Sequence, residues 1–128
     1  MWDATRYREY NACCNAHRFD ALGAFVAPDV RVNDEVQGLD AYVAGLEAVV
    51  RAFPDYTWAL RNLIVEAPFI SATFRDTGTH RGTFLGVPAT GRAVDTVELA
   101  LYRIADDRIA EVWVAADNQR VLAQLRGG

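Results

Sequence analysis

The feature that most limits what this chain can fold into is the order in which two periodicities occur along it. Up to about residue 53 the apolar side chains recur mostly at three- and four-residue spacing. From Tyr56 onward they alternate, in four β-rich stretches over 57–66, 69–80, 93–104 and 108–116. Ala67-Pro68 and Asp106-Asp107 are hairpin-length connections between these stretches, and 86–91 is a longer Gly/Pro loop. Connections that short join antiparallel neighbours and cannot carry the crossover that parallel strands need. Helices first and antiparallel strands afterwards give an α+β fold and not a βαβ one.

In the helical half, a first helix over 4–17 places Tyr7, Tyr10 and Cys14 on one face. A short second helix starts at Asp20 as N-cap, buries Leu22, Phe25 and Val26, and is ended by Pro28. Residues 30–36 alternate as a strand, with Val30, Val32, Asp34 and Val36 on one side and Arg31, Asn33 and Glu35 on the other. Gly38 turns the chain, and Asp40 caps a third helix whose face is Tyr42, Val43, Leu46, Val49, Val50 and Phe53, until Pro54 stops it. A last helix over about 118–125 packs through Val121, Leu122 and Leu125. A long antiparallel or mixed sheet of four or five strands twists and curls, and helices laid on its concave face leave a single pocket at the open end of a cone-shaped α+β barrel.

With 128 residues, of which 52% are hydrophobic, the chain has the size of one domain spanning 1–128. Its net charge of −4 is dispersed, without the basic stripe that nucleic acid requires. No apolar run reaches the roughly 18 to 20 residues of a membrane span, and no basic-then-apolar leader opens the chain, so the expectation is a cytoplasmic protein without a membrane partner. Cys13 and Cys14 are neighbours in a helix, pointing about 100° apart, and cannot form a disulfide without strain. His17 follows one turn later but completes no four-ligand set, so no metal is expected. The 86–91 loop contains Pro88 and leads into a strand rather than a helix, so no phosphate cradle and no nucleotide cofactor are expected. The expected partner is a small molecule, aromatic or polycyclic, bound without a cofactor.

Alternation then nominates residues for the pocket. With Trp113 facing the concavity, Asp117 lies on the same side of the last strand at the pocket end, where an apolar wall raises its pKa toward the range of a general base; the alternative is a cap for the last helix. His80 shares parity with Ile70, Ala72 and Phe74 and is either a donor to a developing enolate oxygen or a core histidine held by a carbonyl. Glu98 shares parity with Thr96, Ala100 and Tyr102, as a pocket or a surface carboxylate. Asp34, on the apolar side of its strand, needs a use or a partner, and Asn33 beside it takes the other face. Trp58, Phe84 and Trp113 form an aromatic wall suited to a flat substrate, or are core.

Two stretches, Gly78-Thr-His80-Arg-Gly82-Thr-Phe84-Leu-Gly86-Val-Pro88-Ala-Thr90-Gly91-Arg92 and Arg108-Ile-Ala-Glu111-Val-Trp113-Val-Ala-Ala-Asp117, together with the element order, resemble the SnoaL-like polyketide cyclases of the nuclear-transport-factor-like cone fold. The resemblance covers nearly the whole chain. It implies an intramolecular aldol condensation on a polyketide-derived substrate, with Asp117 matching the family's acid/base aspartate, His80 stabilising the enolate, and Asp34 or Tyr10 assisting. The family often has a histidine before the tryptophan; here it is Val112. From Glu9 to Asp34 the chain also resembles the ketosteroid isomerases, which would give Tyr10 an oxyanion-hole role and Asp34 that of general base, although Ala100 stands where their second aspartate is expected. The Asp-Arg-Asp set of epoxide hydrolases is missing, since Thr96 stands two residues before Glu98. An isomerase or dehydratase, or a non-catalytic carrier of small ligands, are thus the alternatives to the cyclase. Members of the fold often pair through the outer sheet face, which implies a homo-oligomer, dimer or tetramer, with Arg61, Val65, Val112 and Val114 on that face.

Overall fold

A computed structural model describes residues 2–127. Its elements are α1 (Ala4–Asn15), a 3₁₀ segment (Phe19–Ala24), β1 (Val26–Val32), β2 (Glu35–Val36), α2 (Leu39–Ala52), β3 (Thr57–Glu66), β4 (Phe69–Thr79), β5 (Ala93–Ala105), β6 (Arg108–Ala116) and α3 (Asn118–Leu125). The strands form one open mixed sheet in the order β2-β1-β6-β5-β4-β3. The β1–β6 pair is parallel; β1–β2, β3–β4, β4–β5 and β5–β6 are antiparallel, the second and last of these joined by the hairpins over Ala67-Pro68 and Asp106-Asp107. The expected α+β architecture is the observed one, and no helix among the described residues is long and apolar enough to cross a membrane.

The helices cover one face of the sheet because each carries one apolar stripe. Tyr7, Tyr10 and Cys14 are the buried residues of α1, at the spacing that sets them on one side. Asp3 caps this helix by accepting the Arg6 N–H at 2.8 Å. Asn15 then ties α1 to the sheet edge: its Oδ1 accepts the Trp58 N–H at 2.8 Å and its Nδ2 donates to the Trp58 carbonyl at 3.1 Å, a side-chain amide standing in for a neighbouring strand. Gln124 of α3 does the same at Asp95 of β5, at 2.9 and 2.8 Å. Gly38, with φ +82°, is the N-cap of α2. The expected cap, Asp40, lies inside the first turn, where a carboxylate still complements the helix dipole.

Three local differences from the sequence expectations bear on the site. The second helix ends at Ala24, because Phe25 and Val26 already turn into β1; Pro28 falls in the irregular part of the β1–β6 register, where a missing N–H costs little. The strand expected over 30–36 breaks at Asn33-Asp34, which both have positive φ (49° and 73°) and make the tight turn to β2. The third is a bulge. Arg103 pairs with Glu111 and Ile104 with Ile109, so Ala110 has no residue opposite it. That one extra residue reverses the alternation of β6 beyond it. Val112 and Val114 face the concave side, opposite Tyr102 and Ala100, whereas Trp113 and Ala115 face out, opposite Leu101 and Leu99.

Glu111 secures the bulge, with Arg31 of β1 and Arg103 of β5 as ion-pair partners at 3.4 and 3.3 Å. The outer face beyond it is apolar and open, with Val97, Leu99 and Leu101 all exposed. Val112 and Val114, expected on that surface, belong to the inner wall instead.

Candidate functional site

The concave side of the sheet and the apolar faces of α1, α2 and α3 enclose a cavity in two lobes, of about 180 Å³ and 280 Å³. Leu46, Trp58, Glu98 and Val114 line both, so the lobes meet at a waist and Glu98 is the one ionisable side chain found there. The smaller lobe lies among the phenols Tyr7, Tyr10, Tyr42 and Tyr102, with Cys14 and Val112. The larger is bounded by Phe53, Tyr56, Phe84, Val94 and Val121. No lysine, arginine or histidine lines either lobe among the described residues, and no three metal-ligating side chains cluster there.

Behind Glu98 stands a second carboxyl. Glu98 of β5 pairs with Phe74 and Asp76 of β4 pairs with Thr96, which makes the two acids diagonal neighbours on one face of the ladder, within reach of each other's side chains. Asp76 is fully buried. Its Oδ2 accepts the Tyr56 hydroxyl at 3.0 Å, but its Oδ1 meets no N–H or phenol donor. The Glu98 carboxyl is at hydrogen-bonding reach of Asp76 and can donate only when protonated. Burial, and then the hydrogen bond and charge of Asp76, push Glu98 up to about 9, and burial also raises Asp76 against the pull of Glu98 and Tyr56. Two carboxyls so close in apolar surroundings cannot both ionise, so at neutral pH the pair holds one proton in common. That proton gives the pair a donor of its own beside the unmatched Asp76 Oδ1. Burial and the Asp76 charge hold the Tyr56 hydroxyl far above its ordinary value, keeping it a donor.

The phenols are paired as well. Tyr7 donates to the Tyr102 hydroxyl at 2.9 Å, and the hydroxyls of Tyr10 and Tyr42 lie 2.5 Å apart. Burial raises all four well above the usual phenol range, so all are neutral. Burial also pushes the Cys14 thiol up to about 12, far from a reactive thiolate.

The nominated residues separate into two groups. Tyr10, Trp58, Phe84 and Glu98 line the cavity. Asp117, Asp34, Asn33, Trp113 and His80 do not. Asp117 is exposed and caps α3, accepting the Arg120 N–H at 3.1 Å; the bulge at Ala110 had already turned Trp113 and its partners in parity away from the concavity. Asp34 is exposed in the β1–β2 turn and accepts the Trp113 indole N–H at 2.8 Å, a contact on the outside of the sheet. Asn33 extends the β1–β6 ladder, accepting the Val114 N–H at 2.9 Å and donating to its carbonyl at 3.2 Å, and with Trp113 it borders a shallow outer depression.

His80 is fully buried, as its parity requires, but behind the cavity wall. Its Nδ1 accepts the Thr90 N–H at 3.1 Å and lies 3.0 Å from the Thr90 hydroxyl, while its backbone bonds Arg92 and Gly91. It fastens both ends of the loop carrying Phe84, whose ring meets Phe53 at 5.1 Å. Asp76, Tyr42, Tyr56 and Tyr102 escaped the sequence reading. The signal for Asp76 was present, since it continues the Ile70, Ala72, Phe74 row on which His80 was placed.

A family model for SnoaL-like polyketide cyclases matches residues 4–125. Among solved structures, a SnoaL-like polyketide cyclase from Agrobacterium tumefaciens is 28% identical, with a TM-score of 0.86 over 98% of this chain and 99% of that one. IdmH, a putative polyketide cyclase from Streptomyces antibioticus, is 24% identical with a TM-score of 0.83 over 94% and 95%. AclR, a putative hydroxylase from Streptomyces galilaeus, is 23% identical with a TM-score of 0.84 over 95% and 93%, and at that distance shows the shared fold alone. No curated protein sequence matches significantly. With the match spanning α1 to the end of α3, the chain belongs to the SnoaL-like polyketide cyclase family.

Proposed function

We propose that this protein closes a ring by an intramolecular aldol-type condensation on a polyketide-derived aromatic substrate, and that the Glu98–Asp76 pair moves the proton. The observation that carries this reading is a diagonal pair of carboxyls, one fully buried and the other opening onto both lobes of the cavity. A carbon between two carbonyls is acidic enough for a carboxylate base held in apolar surroundings. The cavity-facing oxygen of Glu98 takes that proton while the proton Glu98 already carries passes to Asp76 Oδ1. The carbanion, delocalised as an enolate, attacks a second carbonyl of the same molecule. The pair then returns a proton to the new alkoxide, restoring its starting state. Tyr56 holds Asp76 Oδ2 in place in both its charged and its protonated state, and the two lobes take the two arms of the substrate on either side of Glu98.

The isomerase alternative built on Asp34 finds less support, because Asp34 and Tyr10 are on opposite sides of the sheet. Pairing with a second copy of the chain through the exposed row of Val97, Leu99 and Leu101 accompanies the proposal, supported by a Leu99 that is 54% exposed in the middle of a sheet.

The deciding experiment offers an aromatic diketone whose active methylene can reach a second carbonyl in the same molecule and follows ring closure by absorbance. Glu98→Gln is expected to abolish the protein-dependent rate while binding persists. A Glu98→Gln variant as fast as the parent sinks the proposal.

A further inference from the structure

The phenols of the smaller lobe have a proton count that their own pairing does not use up. Each pair contains two hydroxyl protons and one mutual hydrogen bond, so one proton per pair is left over. In the first pair Tyr7 is the donor, which leaves the Tyr102 proton. In the second, Tyr10 and Tyr42 share one bond at 2.5 Å, and the remaining neighbour of Tyr10 is the Cys14 thiol, a weak acceptor. The better arrangement sends the Tyr10 proton to Tyr42 and leaves the Tyr42 proton for the cavity. A hydroxyl that already accepts a hydrogen bond is the stronger donor for its next one.

These surplus donors stand at the reacting end of the cavity. Tyr42, Tyr102 and Glu98 line the same lobe, and the electrostatic influence of Glu98 reaches both phenols. Around them the lining supplies few acceptors. Apart from Glu98 its other polar side chains are two amides, Asn11 and Gln37, and Asn11 Oδ1 already takes the Asn15 NH₂ at 3.4 Å. A lobe with two spare phenol donors side by side is complementary to carbonyl oxygen, and more so to an oxyanion.

We propose that Tyr42 and Tyr102 are the carbonyl-oxygen donors of this site, holding the oxygen beside the acidic carbon as a ketone and then as the enolate, with Tyr10 and Tyr7 behind them as positioning residues. This rests on the reading of Glu98 as the proton-moving group. It adds two residues in direct contact with substrate and a chemical requirement: the ligand must place an uncharged carbonyl, not a hydroxyl or an alkyl group, against the phenols.

The test uses 2-acetylnaphthalene, labelled with carbon-13 at its carbonyl, and 2-ethylnaphthalene, which has the same outline without the acceptor. The parent protein is expected to bind the ketone about tenfold or more tightly than the hydrocarbon and to move the carbonyl resonance downfield. Tyr42→Phe and Tyr102→Phe should each weaken ketone binding about fivefold to tenfold and shift the resonance back upfield, while leaving affinity for 2-ethylnaphthalene unchanged, as loss of one hydrogen bond in an intact cavity requires. Equal affinity for the two ligands in the parent overturns the proposal, as does a resonance that neither Phe variant moves. A resonance that shifts back only in Glu98→Gln assigns the carbonyl to Glu98, which removes the phenols' role and leaves the proton-transfer reading standing. An unaltered ring-closure rate in Glu98→Gln, with the phenol effects intact, does the reverse.

Discussion

Asp76 and Glu98 sit diagonally on the inner face of the β4–β5 ladder, one sealed from solvent and the other opening onto the cavity, so that a single shared proton answers both the unmatched Oδ1 of Asp76 and the chemistry proposed for Glu98. The arrangement makes the two acids unequal. Asp76 is never exposed to substrate, and its substitution acts only through its neighbour.

Asp76→Asn is therefore expected to lower the ring-closure rate by about 10² and Glu98→Gln by about 10² to 10⁴, the usual span for a general acid–base group. In Asp76→Asn, Glu98 loses the charge that helps to raise it, so the pH profile should move to lower pH. A profile unmoved by Asp76→Asn, at any rate level, contradicts the coupling of the two carboxyls.

The pair also makes stability depend on pH in a predictable sense. Glu98 titrates near 4.5 in an unfolded chain and near 9 in the folded one, so between those values the folded state binds more protons than the unfolded state. Stability is complete below that window and falls as pH rises through it, by at most about 1.4 kcal/mol per pH unit. Thermal melts between pH 5 and pH 9 should show a declining midpoint in the parent and a flatter one in Glu98→Gln, whose amide can donate to Asp76 Oδ1 without titrating.

Asp117, in contrast, is predicted to matter to α3 and not to chemistry. Asp117→Asn keeps a good N-cap and should be neutral, whereas Asp117→Ala should cost about 1 kcal/mol in denaturant unfolding. Ring closure should stay within about twofold of the parent in both variants, a range far smaller than loss of a catalytic base would give. A rate lost in Asp117→Asn would restore the role that the family resemblance implied.

Thr90→Val keeps the backbone N–H that His80 Nδ1 accepts but removes the hydroxyl that lies 3.0 Å from Nδ1 and also takes the Arg92 N–H at 3.2 Å. The expected cost is about 1 kcal/mol, with faster amide exchange over 81–91 and weaker binding of ligands that reach Phe84. Exchange unchanged in this loop would show that its anchorage lies elsewhere.

Much of the architecture was legible because long strands and amphipathic helices announce themselves by period. The bounds of β3 and β6 agree with alternation alone, and the Tyr7, Tyr10, Cys14 stripe is the buried side of α1. What alternation cannot carry is an interruption. The turn at Asn33-Asp34 uses residues tolerant of positive φ, a signal that was outweighed by the regular valines around it, and so Asp34 was placed inside. Asp76 was hidden differently: it obeys the pattern, but nothing local to it shows that Glu98, twenty-two positions on, will be its diagonal neighbour. The phenol pairs join α1 to α2 and to β5, and no spacing within one element reveals a bond between elements.

The unpaired Ala110 gives this wall something close to a reading frame. Upstream of it β6 is read in one phase and downstream in the other: paired straight through, with Ala110 opposite Arg103, the strand would turn Trp113 and Ala115 inward in place of the valines, whereas deletion of Ala110 would close the bulge and leave Val112 and Val114 where they are. The lining of the pocket thus hangs on one step in the ladder at a residue outside the cavity wall. A strand of the same sequence without that step would present an unlike interior, and it is the pairing at Ala110, more than the kinds of residue beyond it, that decides which face of the last strand lines the cavity.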